Sequence, residues 1–268
     1  MKKLLISTAV ATLLMASTAV ADTLVIAGAS ESGGYFARAT NAAERLVQRG
    51  FDARAVTTNG SEEITLGICN GSFTAGYTQV DAMFARAKEG CNLFPAAVYG
   101  EEYALMLVPS NSDINELSDL DENDTVLINR EGSGANLMWR TIVSIEQGEE
   151  GSNDDWSRAQ VNNDPFEVAY PLAEAGLVDA VIVVATLDNP TLTNFANLGW
   201  ETIEFWDKDI NDQEFNGAPL YESEKIKGRI EGRRLNEWGY VVKSFGVITN
   251  ETRRDSTLFP ALVSALAN

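Results

Sequence analysis

The residues of this chain best suited to chemistry are short glycine- and serine-rich turns between predicted strands and helices. The clearest is Gly132-Ser133-Gly134-Ala135, between a buried strand from Thr125 and a segment whose apolar residues recur at helical spacing. The first N–H groups of a helix lack intrahelical partners and carry the positive end of its dipole, so they bind anions. The turn is a candidate carboxylate site, although it equally fits a plain turn in which the serine caps the helix.

Similar turns occur earlier in the chain. Gly28 to Gly34 follows a short apolar strand and precedes a helix predicted over 35–49, and Asn59-Gly60 precedes a helix with an exposed Ser61 at its start. Gln79 ends a further predicted strand, where open α/β sheets bind ligands, but it equally fits a surface helix cap. Neither GxGxxG nor GxxxxGK spacing is present, so a nucleotide site is not favoured.

The chain contains no histidine. This excludes Ser-His-Asp and Cys-His catalysis, histidine general-base chemistry and most transition-metal enzymes. A hydrolase that uses a pair of carboxylates remains open, but no spacing of Asp and Glu singles out such a pair.

The amino-terminal segment predicts export. Lys2-Lys3, an apolar run from Leu4 to Met15 and Ala19-Val20-Ala21 form the layout of a secretory signal peptide over 1–21. We expect the mature chain to begin at Asp22, most simply in a bacterial periplasm. No later segment approaches about 18 uninterrupted apolar residues, so no stable membrane insertion is expected.

The net charge restricts the classes of macromolecular partner, and the cysteine content predicts a disulfide. The net charge is −19, and removal of the two leader lysines makes it −21 (−19 − 2), which argues against nucleic acid or anionic membrane as a partner. The two cysteines, Cys69 and Cys91, most simply form one disulfide in an oxidising compartment, the alternative being two buried thiols. A zinc site is not expected with so few ligands, and no cofactor is implied.

Strands and helices alternate through the chain, which predicts an α/β fold with mainly parallel sheets flanked by helices. Apolar strands are predicted at 96–99, 103–109, 178–185 and 239–249, and a closing helix at 258–266. Two long strands, near Tyr103 and Gly239, would cross between two lobes joined by a hinge, the layout of a receptor that closes on its ligand. The expected lobes are 22–106 with 244–268, and 107–243. Residues 207–236 give no clear pattern.

In order and spacing, the turns and strands resemble the TAXI-type solute-binding proteins of TRAP transporters. The resemblance covers most of the mature chain and is carried by Gly28 to Tyr35, Asn59 to Glu63, the strand ending in Gln79, Ala97 to Tyr99 with Tyr103 to Val108, Ile114 to Leu120, Gly132 to Gly134, Glu174 to Ala180, Asn189-Pro190 and Phe245 to Ile248. It implies a periplasmic receptor with the type II two-lobe binding-protein fold. It also implies a small-molecule ligand, a carboxylate or amino acid, and a TRAP membrane permease as partner.

The resemblance also implies which residues bind the ligand. Carried over by position they are Ser32, Gly33, Gly34, Tyr35, Ser61, Gln79, Ser133, Gly134, Ala135, Thr186 and Asn189. Tyr35 and Tyr99 would form an apolar wall, although Tyr99 equally fits ordinary packing. Arg130-Glu131 departs from the family pattern: Arg130 would attract a carboxylate, Glu131 would repel one, and either could face solvent.

These features favour a receptor without catalytic activity that delivers its solute to the permease. The alternatives are a receptor that presents its closed form to a membrane sensor kinase and, less well supported, an exported hydrolase with a carboxylate pair. A structural role fits least, because the chain has no internal repeats.

Overall fold

The structure, a computed structural model, describes residues 23–31, 33–148 and 154–267. The predicted signal peptide, 1–21, lies outside the described residues. None of the helices within the described ranges is both long and apolar enough to cross a membrane.

Strands and helices alternate as expected. The strands are β1 Leu24–Ala27, β2 Ala53–Val56, β3 Ala75–Gln79, β4 Leu93–Pro109, β5 Thr125–Leu127, β6 Gln160–Asn162, β7 Ala180–Ala185, β8 Trp200–Ile203, β9 Glu214–Phe215, β10 Ala218–Pro219, β11 Glu222–Ile230 and β12 Arg233–Thr249. The helices are α1 Gly34–Gln48, α2 Ser61–Cys69, α3 Val80–Lys88, α4 Gly134–Glu146, α5 Phe166–Glu174, α6 Pro190–Asn197, α7 Lys208–Asn211, α8 Asn250–Arg254 and α9 Leu258–Leu266.

Ten strands form one hydrogen-bonded sheet in the order β2-β1-β3-β12-β4-β7-β5-β6, with β11 added to β12 and β8 added to β4. The short strands pair in parallel, β1 with β2 and β3, and β5 with β6 and β7. The long strands β4 and β12 pair antiparallel with each other and with their neighbours. The α/β class predicted from the alternation is thereby confirmed, with β4 and β12 joining the two parallel sets.

The buried residues divide into separate cores that define two lobes. One core is built from residues 26–83 and 247–266, and α9 packs in it against α1. Two further cores lie on the other lobe and use residues 104–242. Tyr77 anchors the closing helix, since its hydroxyl donates to the carbonyl of Leu266 at 3.0 Å.

The sequence predicts two strands over 96–109, but the structure has one strand of 17 residues. The expected break at Gly100-Glu101-Glu102 does not interrupt pairing, because β12 continues opposite it. Gly100 adopts a φ of +154°, which a glycine tolerates without strain. Two acidic residues therefore lie within a strand that runs from one lobe to the other.

The segment left unassigned, 207–236, contains α7, the small β9–β10 pair and most of a long hairpin. β11 pairs with β12 from Ile230 opposite Arg233 through Glu222 opposite Val241. Glu231 and Gly232 form the two-residue turn, with φ of 48° and 77° as a type I′ turn requires. Only Ile226 and Ile230 of β11 are buried, so the strand lacks the apolar alternation that would have identified it.

The structure contains the expected disulfide between Cys69 and Cys91, at the end of α2 and after α3. Replacing both cysteines with serine should lower the free energy of unfolding by about 3 kcal/mol, because the loop spanning 22 positions regains freedom in the unfolded chain. Denaturant unfolding of the double variant measures this loss. Two titratable thiols in the denatured, unreduced wild-type protein would contradict the bridge.

Candidate ligand-binding cleft

A cleft of about 170 Å³ lies between the two lobes, where β4 and β12 cross from one to the other. Its lining consists of Ala29, Ser30, Gly33, Gly34, Tyr35, Asn59, Gly60, Ser61, Gln79, Tyr99, Glu102, Asn129, Arg130, Ser133, Gly134, Glu167, Val184, Thr186 and Asn189. The predicted site residues thus come together here, with two exceptions. Ser32 lies outside the described residues, and the side chain of Ala135 is buried in a core of the second lobe.

Four helices begin at this cleft: α1, α2, α4 and α6. Ser133 caps α4, accepting from Asn136 N at 3.2 Å, and Asn189 caps α6, accepting from Thr191 N at 2.9 Å. The starts of α1 and α2, after Gly33 and Gly60, have no side-chain cap. Ser61 at the start of α2 is only 1% exposed, so the expectation of an exposed serine there is wrong. The partial positive charges of four helix starts therefore converge on one small volume, which suits an anionic group.

The two lobes touch across the cleft at Gly60 and Gly132. The N–H of Glu62 donates to the carbonyl of Gly132 at 3.2 Å. A Cβ at Gly60 would lie only 2.8 Å from that carbonyl oxygen and 2.9 Å from Cα of Ser133. This close approach of two backbones requires glycine. We call the arrangement in which these two backbones meet the closed arrangement of the lobes.

An ion pair reinforces the same contact beside the cleft. Arg140 of α4 donates to the carboxylate of Glu62 on α2 at 2.5 Å. Arg86 of α3, which is almost fully buried, lies 3.8 Å from the other carboxylate oxygen of Glu62. Glu62 thereby bridges a cation of its own lobe and one of the opposite lobe.

Glu102 on β4 is the main cleft residue that the sequence did not identify. Its Oε2 accepts hydrogen bonds from Tyr35 Oη, from Ser244 Oγ at 2.7 Å and from Gln79 Nε2 at 3.3 Å. Burial raises the pKa of Glu102, opposed by these three donors. The signal in the sequence is an acidic pair inside a long apolar segment, a pattern that predicts a break between two strands.

The rings of Tyr35 and Tyr99 line the cleft, and both also pack against other aromatic residues. The Tyr35 and Tyr99 rings meet edge to face with centroids 5.2 Å apart, and Tyr77 meets Tyr99 at 5.8 Å. The guanidinium of Arg38 lies 4.8 Å from the centroid of the Tyr99 ring. Burial also raises the pKa of Tyr35 well above its usual value, so its hydroxyl remains a donor to Glu102.

The structure distinguishes the roles left open for Arg130 and Glu131. Arg130 lines the cleft and lies 3.4 Å from the carboxylate of Glu167. Glu131 is exposed and is not part of the lining. The charged residues of the lining are therefore Arg130, Glu102 and Glu167.

A group of carboxylates able to hold a metal ion lies elsewhere. Oxygen atoms of Glu146, Asp207 and Asp209 lie within 4.8 Å of one another. Burial raises the pKa of Asp207, with a smaller contribution from the neighbouring Asp209. None of the three lines the cleft.

Comparison with known proteins defines the fold of the chain. No protein-family model and no curated protein match it. Similar solved structures include XAC2383 from Xanthomonas citri bound to ATP (TM-score 0.55, 10% identity, 91% of this chain and 82% of that chain). A second is an ancestral arginine-binding protein bound to arginine (TM-score 0.51, 15% identity, 91% of this chain and 90% of that chain). A third is the periplasmic aliphatic sulphonate binding protein SsuA from Escherichia coli (TM-score 0.52, 16% identity, 92% of this chain and 73% of that chain). The chain has the type II fold of periplasmic binding proteins, as expected.

Proposed function

We propose that this protein is a periplasmic solute receptor that binds a small carboxylate-bearing solute between its lobes. In this proposal the closed form delivers the solute to a TRAP-type membrane permease. The protein performs no reaction itself, and its leader, 1–21, is cleaved on export. The proposed lobes are 22–106 with 244–268, and 107–243.

The convergence of four helix starts on one cleft carries this proposal. Backbone N–H groups and the hydroxyls of Ser61 and Ser133 bind a carboxylate by charge-assisted hydrogen bonds without a dedicated cation. Arg130 adds a full positive charge at the same cleft. The volume of about 170 Å³ suits a ligand of a few heavy atoms.

Closure follows if the ligand binds the closed arrangement better than the open one. The contacts of Gly60 with Gly132, and of Glu62 with Arg140, link α2 to the segment around the start of α4. A ligand that bridges these two helix starts would therefore favour the same arrangement.

A thermal-shift screen of the protein from Asp22 onward tests the proposal, with small carboxylates, amino acids, sugars and phosphates. A ligand at a hundred times its Kd stabilises the folded state by about 2.7 kcal/mol. We expect a clear shift with a carboxylate-bearing compound and no turnover of it. A response to sugars or phosphates alone would contradict the carboxylate assignment.

Ser133→Glu should abolish that shift, because it places a negative charge at the proposed carboxylate position. Thr249→Glu is the matched control, since Thr249 caps α8 through Thr252 N at 3.1 Å and does not line the cleft. Unchanged calorimetric affinity in Ser133→Glu would refute the helix-start site.

Uptake by proteoliposomes that contain a TRAP permease encoded beside the receptor gene tests the proposed partner.

A further inference from the structure

A groove of about 420 Å³ lies between α3 and α4 and shares no lining residue with the cleft. Residues 84–89 and Glu62 line it on one side, and residues 137–148 with Gln213 line it on the other. We call this space the α3–α4 groove. Since α3 belongs to the first proposed lobe and α4 to the second, a ligand bound here would contact both lobes.

The α3–α4 groove is cationic, although the chain carries a net charge of −19. Its charged residues sum to +1 (+3 − 2), and they are Arg86, Lys88, Arg140, Glu62 and Glu89. Lys88 is exposed and pairs with no carboxylate within the described ranges. Its Nζ lies 4.2 Å from the centroid of the Phe84 ring. The charge of the groove therefore favours an anionic ligand over a cationic one.

The guanidinium of Arg86 has a donor that no neighbouring group uses. Arg86 is only 5% exposed. Its Nη1 lies 2.8 Å from Glu89, but its Nη2 lies 3.8 Å from Glu62, too far for a hydrogen bond. Unlike Nε, which is enclosed, Nη2 is not among the buried atoms that lack a partner, so it keeps surface on the groove. A largely buried cation with an unused donor is stabilised by an anion that accepts from it.

Arg140 presents a further unused donor from the opposite side. Its Nε donates to Asn136 at 3.0 Å and its Nη2 to Glu62 at 2.5 Å, and Nη1 donates to no group of the described residues. The side chain is 51% exposed, so Nη1 is accessible. The guanidiniums of Arg86 and Arg140 thus lie on either side of the Glu62 carboxylate, one from each lobe.

We propose that the α3–α4 groove binds a small inorganic oxyanion of the phosphate class, held by Arg86 and Lys88 of α3 and by Arg140 of α4. Phosphate offers at least three acceptor oxygens, one for each of these cations, whereas a carboxylate offers two. The ion links α3 to α4 and so stabilises the closed arrangement of the lobes. It is thereby an effector of the receptor, and this effector role rests on the function proposed above.

The effector role has a measurable size. Two ligands that both favour one arrangement raise each other's affinity by the same factor, typically between about 5-fold and 150-fold. Saturating phosphate should therefore raise affinity for the cleft ligand by at least about fivefold, and a filled cleft should raise phosphate affinity equally.

Calorimetric titration of the protein from Asp22 onward with inorganic phosphate tests the site, with ionic strength held constant by sodium chloride. We expect saturable binding of one ion per chain. Lys88→Ala should weaken it by at least about threefold, the contribution of an exposed charge pair. Ser144→Glu should weaken it by at least about tenfold, because it places a negative charge on the α4 side of the groove. Lys227→Ala is the matched control, since Lys227 is exposed on β11 and does not line the groove.

The outcomes separate this inference from the proposed function. No saturable binding, or equal phosphate affinity in the wild type, Lys88→Ala and Ser144→Glu, would overturn the groove site. Loss of phosphate binding in Ser133→Glu would place the ion in the cleft and overturn it as well. Phosphate binding at the groove without any carboxylate ligand would overturn the proposed function and leave the oxyanion site standing. Binding of both ligands with neither altering the affinity of the other would overturn the effector role.

Discussion

Replacing Gly60 with alanine is expected to abolish ligand binding while both lobes remain folded. The added Cβ would meet the carbonyl oxygen of Gly132 at 2.8 Å and Cα of Ser133 at 2.9 Å. Both are backbone atoms that cannot move aside as a flexible side chain can. The closed arrangement is therefore blocked, and apparent affinity falls with the closed population, by at least about 100-fold.

Gly71→Ala is the matched control for Gly60→Ala. Both glycines have positive φ, +142° at Gly60 and +81° at Gly71, but a Cβ at Gly71 meets nothing within 4 Å. Each variant should lose on the order of 1–3 kcal/mol of stability from backbone strain, and only Gly60→Ala should lose binding. Calorimetry with a ligand from the screen measures affinity, and small-angle scattering measures compaction on ligand addition. Equal affinity in the two variants would show that the Gly60 contact plays no part in closure.

The stability of the wild-type protein should fall between pH 4 and pH 8, and Asp81→Asn should remove much of that decline. Asp81 and Tyr221 are both fully buried, and the Tyr221 hydroxyl donates to the Asp81 carboxylate at 3.0 Å. Burial raises the pKa of Asp81 from 3.8 to about 7. The folded protein thus holds a proton that the unfolded chain releases near pH 4, so raising the pH towards 7 destabilises the folded state.

The size of this effect follows from the pKa shift. A shift from 3.8 to about 7 corresponds to a loss on the order of 4 kcal/mol above pH 7. Partly buried Glu102 also has a raised pKa and adds a slope of the same sign, so the difference between the wild type and Asp81→Asn isolates Asp81. Denaturant unfolding at pH 5, 6, 7 and 8 measures both profiles. Parallel profiles would contradict an Asp81 that is protonated in the folded state.

Features with local causes could be predicted from the sequence. The cap of α4 depends on Ser133 and on Asn136, three residues later, and the turns before α1 and α2 are equally local. Apolar runs in the sequence indicate most of the strands along the chain and the crossing by two long ones. These elements were enough to place most of the candidate cleft.

Features that depend on pairing between distant segments could not be predicted. Glu102 owes its setting to Ser244, 142 residues away, and to Tyr35, 67 residues away, so nothing near it in the chain reveals its burial. Asp81 follows the same rule, since Tyr221 lies 140 residues away. The β11–β12 hairpin lacked apolar alternation because one of its strands is largely exposed.

The paired strands β4 and β12 have a consequence for the affinity of the proposed receptor. Their ladder runs from one lobe to the other, with register shifts between Ser244 and Phe245 and between Gly246 and Val247. Such irregular steps interrupt the regular hydrogen-bonded ladder, so we expect the ribbon to bend most easily there. Ser244, which flanks the first step, is also bonded to Glu102. A substitution at these steps that leaves the Ser244–Glu102 bond intact and changes only how easily the ribbon bends would therefore change affinity for every ligand in the same proportion. The preference between ligands would remain unaltered.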